Sequence, residues 1–143
     1  LANEKIPLYG DGNNVRDWLF VEDHVEALLL TAFQGDIGNS YCIGGVDEKT
    51  NRQVAEDICK LIDEFRPEFA PHSRLISYVA DRPGHDDRYA INPTKIKTFL
   101  GWQPRFKFDE GLRVTVKWYL DNLNWCEKIR EKSKYHGERI GLR

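Results

Sequence analysis

The sequence predicts an α/β chain of α+β character, with small sheets and about four helices. Three observations lead there. Short apolar runs bounded by Gly, Pro, Asn and Asp recur at 6–9, 15–21, 40–43 and 75–79, the pattern of brief strands. Between and after them, apolar residues return every three or four positions, the period of a helix with one buried face. No glycine-rich turn both follows a strand and opens a helix, so the chain does not complete a doubly wound nucleotide-binding sheet.

Taken in order, residues 6–9 are extended, Pro7 disfavouring a helix there. Gly10-Asp11-Gly12-Asn13-Asn14 is dense turn chemistry. Residues 15–21 read as a strand. The first helix follows, with Asp23 as N-cap, Glu26 completing its first turn, and Val25, Leu28, Leu29, Ala32 and Phe33 as the face expected to be buried. Residues 40–43 read as a short buried strand running into Gly44-Gly45. The second helix is better signalled: Thr50 and Gln53 have the spacing of a capping box, and Val54, Ile58, Leu61, Ile62 and Phe65 form its apolar stripe. A strand over 75–79, a polar loop over 81–87, a brief strand over 88–91 and a short helix over 93–100 come next. Gly101 stops that helix. The last strong helix is expected over 109–123, with Leu112, Val116, Tyr119, Leu120 and Leu123 facing inward. The division implied is a binding domain over 1–125 and a helical extension with a surface tail over 126–143. Residues 1–5 read as the end of a helix whose beginning is absent, so the chain is expected to be a piece of a longer protein.

Composition narrows the function. The net charge of −2 argues against a general nucleic-acid binder, which needs a strongly basic surface. No apolar run approaches the ~20 residues of a membrane span. Three cysteines without CxxC spacing fit reduced thiols in a cytoplasmic protein better than disulfides or zinc.

The loops carry the candidate chemistry. Tyr9, Arg16, Asn51 at a helix start, Arg82 and His85 offer an aromatic face, planar guanidinium forks and a helix N-terminus. Guanidinium forks match phosphate oxygens, and free N–H groups at a helix start attract anions. If Arg16, Asn51 and Arg82 converge, they would bind a diphosphate, with Tyr9 bordering a base or sugar. Plainer readings stand beside this one. Arg16 can be an exposed strand charge, Arg82 and Arg88 can form surface ion pairs with Asp81, Asp86 and Asp87, and Asn51 can simply end a loop. His85 has no second metal ligand at suitable spacing. No serine or cysteine sits in a nucleophile elbow and no Tyr-x-x-x-Lys pair appears, so no catalytic residue is expected in this chain.

The order of the motifs is itself informative. The run Pro7-Leu8-Tyr9-Gly10-Asp11-Gly12-Asn13-Asn14-Val15-Arg16-Asp17-Trp18-Leu19-Phe20-Val21-Glu22-Asp23-His24 resembles a signature of the dTDP-glucose 4,6-dehydratases, which are extended short-chain dehydrogenase/reductases. Ile43-Gly44-Gly45 with Glu48-Lys49-Thr50-Asn51 is similar to the next block of that family. The run Asp81-Arg82-Pro83-Gly84-His85-Asp86-Asp87-Arg88-Tyr89-Ala90-Ile91 is similar to its most distinctive one. Leu100-Gly101-Trp102-Gln103-Pro104, Glu110-Gly111-Leu112 and Thr115-Val116-Lys117-Trp118-Tyr119 are similar to its C-terminal helices.

The resemblance implies the C-terminal, substrate-binding portion of such an enzyme, with the Rossmann half absent. It implies that Pro7, Tyr9, Arg16, Asn51, Arg82 and His85 bind the nucleotide and diphosphate of dTDP-glucose or a related nucleotide sugar. NAD would be bound by the missing N-terminal half. The full-length enzyme would be a cytoplasmic homodimer converting dTDP-glucose to the 4-keto-6-deoxy sugar with loss of water. This chain alone would be inactive. The alternatives are a free-standing sugar-nucleotide-binding module, or half of a UDP-sugar epimerase or decarboxylase.

Overall fold

The structure, a computed structural model, describes residues 3–133. Strand β1 (Ile6–Tyr9) runs parallel to β4 (Ile76–Val79), with Ile6 opposite Ile76 and Tyr9 opposite Val79. Strand β2 (Val15–Asp17) runs antiparallel to β3 (Glu48–Thr50), with Val15 opposite Thr50 and Asp17 opposite Glu48. Five α-helices complete the described residues: α1 (Val21–Gln34), α2 (Asn51–Phe65), α3 (Thr94–Leu100), α4 (Phe108–Asp121) and α5 (Leu123–Ser133). Four of these match the helices expected, and α5 takes up the helical extension expected near the C-terminal end, beginning at Leu123. The parts of the tail beyond Ser133, and Leu1 and Ala2, lie outside the described residues. Asn3 to Lys5 are not helical.

Helix α2 organises one side of the molecule. Its start is fixed by the expected box: Gln53 N–H donates to Thr50 Oγ1 at 3.1 Å, and Thr50 N–H donates to Gln53 Oε1 at 2.9 Å. Val54 and Cys59 are buried, and Ile58, Leu61, Ile62 and Phe65 are half-buried as the periodicity requires. Burial pushes the Cys59 thiol pKa up, which fits an inert core residue. A hydrophobic cluster gathers Ala27 of α1, Ile96 of α3 and Trp102, with Leu19, Leu30, Tyr41, Ile43 and Leu100 packed around them. Gly101, in the left-handed region at φ 70°, ends α3 as expected.

Helix α1 departs from the sequence reading. It begins at Val21 behind Phe20, so the strand expected to reach residue 21 stops at Asp17, and Asp23 is no cap. Asp23 is instead fully buried, where its Oδ2 accepts the Phe106 N–H at 3.0 Å and Arg105 Nε lies 3.6 Å from Oδ1. Glu26 pairs with Arg105 at 3.0 Å instead of closing a capping box. The face turned into the core therefore carries Asp23 and Ala27. The stripe Val25, Leu28, Leu29 and Phe33, expected inside, is exposed. The physical reason is that the described residues give that stripe nothing to pack against.

Smaller differences have similar causes. Residues 40–43 join no ladder, and residues 88–91 reduce to one bridge between Val15 and Arg88. On α4, Val116 and Gly111 are buried and Leu112 and Leu120 half-buried, but Tyr119 turns outward against Trp118. Gly111 meets Phe20 so closely that an added Cβ would sit 2.9 Å from the Phe20 Cβ.

Candidate functional site

The site is built by the ends of two sheets meeting one loop. β1 delivers Tyr9 to the edge of the 80–89 loop, and alternation along β1 buries Leu8 while Pro7 and Tyr9 share the opposite face. The chain turns immediately at Gly10, whose φ of 58° and whose approach to Asp81 both require glycine. An added Cβ there would lie 2.8 Å from Asp81 Oδ2.

Asp81 anchors the first half of the loop. Its Oδ1 accepts the Arg82 N–H at 2.8 Å and lies 2.7 Å from His85 Nδ1. The His85 hydrogen bond holds the Asp81 carboxyl below its ordinary pKa, aided by the Arg82 N–H. The His85 ring, 4% exposed, stands edge-on to Tyr9 with centroids 6.4 Å apart. Tyr9 and His85 are thus brought together, with Arg82 projecting from the same turn.

Strand β2 anchors the second half. Val15 N–H donates to Asp87 O at 2.7 Å, and Tyr89 N–H donates to Val15 O at 3.0 Å, which fastens the loop on both sides of Arg88. Arg16 donates to Val15 O at 2.6 Å and Asp86 O at 3.0 Å, and its guanidinium lies 4.7 Å over the Tyr89 ring. The Tyr89 hydroxyl donates to Asp86 Oδ2. That hydrogen bond, and then the Asp86 charge, raise the Tyr89 pKa, while Arg16 and Arg82 together pull it the other way. Arg16 therefore faces this tyrosine, and Arg82 belongs to the same loop.

The three arginines of the loops separate here. Arg88 makes a two-pronged pair with Glu48 at 2.7 and 2.6 Å, which lowers the Glu48 pKa and balances the charge of that guanidinium. Arg16 bonds only carbonyl oxygens, and neither it nor Arg82 forms an ion pair with a described residue. A guanidinium paired to no carboxylate and lying over an aromatic ring, with a second arginine on the same loop, attracts an anion attached to a planar or apolar group.

Asn51 sits at the first position of α2, but the free helix N-terminus expected there is not found. The N–H of Asn51 donates to Asn14 O at 3.0 Å, that of Arg52 to Gly12 O at 2.9 Å, and that of Gln53 to Thr50 Oγ1. The neighbouring loop takes up the donors an anion would use, so what remains of Asn51 for a ligand is its side-chain amide. Sequence reasoning named Asp81 and Asp86 only as ion-pair partners of Arg82 and Arg88, and passed over Tyr89. The i,i+4 spacing of Asp81 and His85 was the available signal. No group of three metal-ligating side chains occurs among the described residues. No described helix is long and apolar enough to cross a membrane.

Known proteins bear on this arrangement. The family model described as GDP-mannose 4,6 dehydratase matches residues 1–115. A dTDP-glucose 4,6-dehydratase of Xanthomonas campestris is 48% identical over 99% of this chain, and that match covers 40% of the relative. The dTDP-glucose 4,6-dehydratase of Bacillus anthracis, solved in complex with NAD, superposes with a TM-score of 0.74 at 46% identity, over 85% of this chain and 36% of that one. The Streptomyces venezuelae dTDP-glucose 4,6-dehydratase, solved with NAD and a dTDP ligand, gives 0.73 at 38% identity over the same shares. The chain spans about 40% of the length of the curated relatives it matches.

Proposed function

The chain belongs to the GDP-mannose 4,6 dehydratase family, and on that basis we propose that it is the nucleotide-sugar-binding part of a dTDP-glucose 4,6-dehydratase. The observation that carries this reading is the Arg16 guanidinium over Tyr89, bonded only to carbonyl oxygens, on the loop that also carries Arg82 and the Tyr9–His85 contact. In this reading Arg16 and Arg82 hold the diphosphate, while Pro7 and Tyr9 border the base. His85, fixed through Nδ1 by Asp81, turns its other ring nitrogen to a phosphate oxygen, and the Asn51 amide supplies a further hydrogen bond.

The full-length enzyme converts dTDP-glucose to dTDP-4-keto-6-deoxyglucose with loss of water, and works in the cytoplasm as a homodimer. Three unpaired cysteines fit a reducing compartment. NAD supplies hydride exchange in that reaction. The residues of this chain do not fit it: the glycine turn after β1 leads into β2 rather than into a helix, and gives no N-terminus for a pyrophosphate. NAD then belongs to the part of the relatives that the chain does not match, and the role left to these residues is to bind and orient the sugar nucleotide.

Calorimetric titration of the chain with dTDP, and with UDP for comparison, tests the reading. An Arg16→Ala, Arg82→Ala double variant should weaken dTDP binding at least about 10-fold, since charge-assisted hydrogen bonds contribute ~1.5–3 kcal/mol each. Equal binding by the double variant and the wild type would overturn it.

A further inference from the structure

Four bonds fasten the second half of the 81–89 loop to the short stretch Asn14–Arg16. Asn14 Nδ2 donates to Asp86 O at 3.2 Å, and Arg16 donates to the same oxygen at 3.0 Å. Val15 N–H donates to Asp87 O, and Val15 O accepts the Tyr89 N–H. Because all four end on residues 14–16, by themselves they leave the loop a swing about that stretch. Arg88 reaches past it to the next strand, β3, where its Nε donates to Glu48 Oε2 and its Nη2 to Glu48 Oε1.

Glu48 opens β3, and β3 leads without a break into α2, whose first residue is Asn51. The same two elements meet a second time at Asn14, which is buried at 7% exposure. Its backbone oxygen accepts the Asn51 N–H at 3.0 Å, while its side chain holds the loop at Asp86. Asn14 is thus an inner tie between the loop and the start of α2, and the Glu48–Arg88 pair is an outer one. Two ties at separate points fix an angle as well as a distance. One of the elements so fixed carries Asn51, and the other carries Arg82 and His85.

We infer that Glu48 and Arg88 are positioning residues of the binding site: their pair sets the separation between Asn51 on one side and Arg82 with His85 on the other, and so fits the site to a group with two phosphates. Neither residue touches the ligand in this role, since the Arg88 fork is committed to Glu48. An exposed ion pair ordinarily contributes little, and the two-pronged form is the one that holds direction as well as distance. A pair that merely decorates the surface would leave both the order of the loop and the choice of ligand unchanged.

The inference rests on the reading of the site as one that binds a nucleoside diphosphate. Its test compares the wild-type chain with Glu48→Gln, Arg88→Gln and the double variant. Both side chains are well exposed, so the variants fold, and slow labelling of the buried Cys59 thiol checks this. The Val15 and Tyr89 amides flank Arg88 and report the fastening of the loop without any ligand. We expect their hydrogen exchange to be about 5-fold faster in each single variant and no faster in the double, because a unit broken once is not broken again. Calorimetric titration should show dTDP binding about 5-fold weaker in every variant, with dTMP, which carries one phosphate, weakened less than about 2-fold. A general loosening of the fold would weaken the two nucleotides alike. Equal losses for dTDP and dTMP, additive losses in the double variant, or unchanged exchange at Val15 and Tyr89 would each overturn the inference and leave the binding reading standing. A wild-type chain that binds no dTDP would overturn that reading, and the inference with it.

Discussion

Asp63 carries a hydrogen-bond load at one oxygen: its Oδ1 accepts the His72 N–H at 2.8 Å and lies 2.5 Å from His72 Nδ1, and the imidazole is buried. The His72 side-chain bond first, and its backbone N–H second, hold the Asp63 carboxyl below its ordinary pKa. A depressed carboxylate pKa stabilises the fold above the unfolded value, and that contribution disappears as the pH falls through the folded value. The gap in urea midpoint between wild type and Asp63→Asn should therefore be full at neutral pH and close as the pH drops below about 4. Equilibrium unfolding at several pH values checks this. At the same scale, Asp23 shows why single carboxylates were hard to read from sequence. An acidic residue at the start of an apolar periodic run has the signature of a cap, yet its oxygen is needed by the Phe106 N–H, 83 positions away. Nothing in the local pattern announces a partner that distant.

Among elements, the two long N-terminal helices make a controlled comparison. Helix α2 was legible to within a residue because both halves of its capping box are local and its stripe meets partners inside the described residues. Replacing Thr50 by alanine removes the acceptor for Gln53 N–H. It should cost about 1 kcal/mol in chemical denaturation, and leave the β2–β3 ladder otherwise in register. Helix α1 was legible as a helix but not in which face it buries. Periodicity identifies an apolar stripe and is silent about whether the partner of that stripe is present. Residues 40–43 fail for the same reason: β-propensity marks a strand, and a strand without a neighbour has no ladder. The β3 strand was missed because three residues, Glu48-Lys49-Thr50, give too short a run for any period.

For the whole molecule, the binding reading and the small core lead to one expectation. Few side chains are fully buried, so a ligand that binds only the folded chain contributes a large share of its stability. At a dTDP concentration about 100 times the dissociation constant, the gain is ~2.7 kcal/mol. A thermal melt should shift upward by several degrees with dTDP, and the Arg16→Ala, Arg82→Ala variant should lose that shift. How much of the site was legible follows from what brings it together. The residue types Arg16, Arg82, His85 and Tyr9 stood out because arginines and an aromatic are unusual in loops. Which arginine is taken up by a carboxylate was not legible, since Glu48 lies 40 positions from Arg88 and only the fold joins them. The fastening of the loop by Val15 on either side of Arg88 has one more consequence. A segment tied along its second half as well as at Asp81 near its start has few alternative shapes to sample. Its encounter with a nucleotide then resembles the meeting of two rigid bodies, with the arrival rate set by diffusion and charge, and with little conformational entropy surrendered on contact.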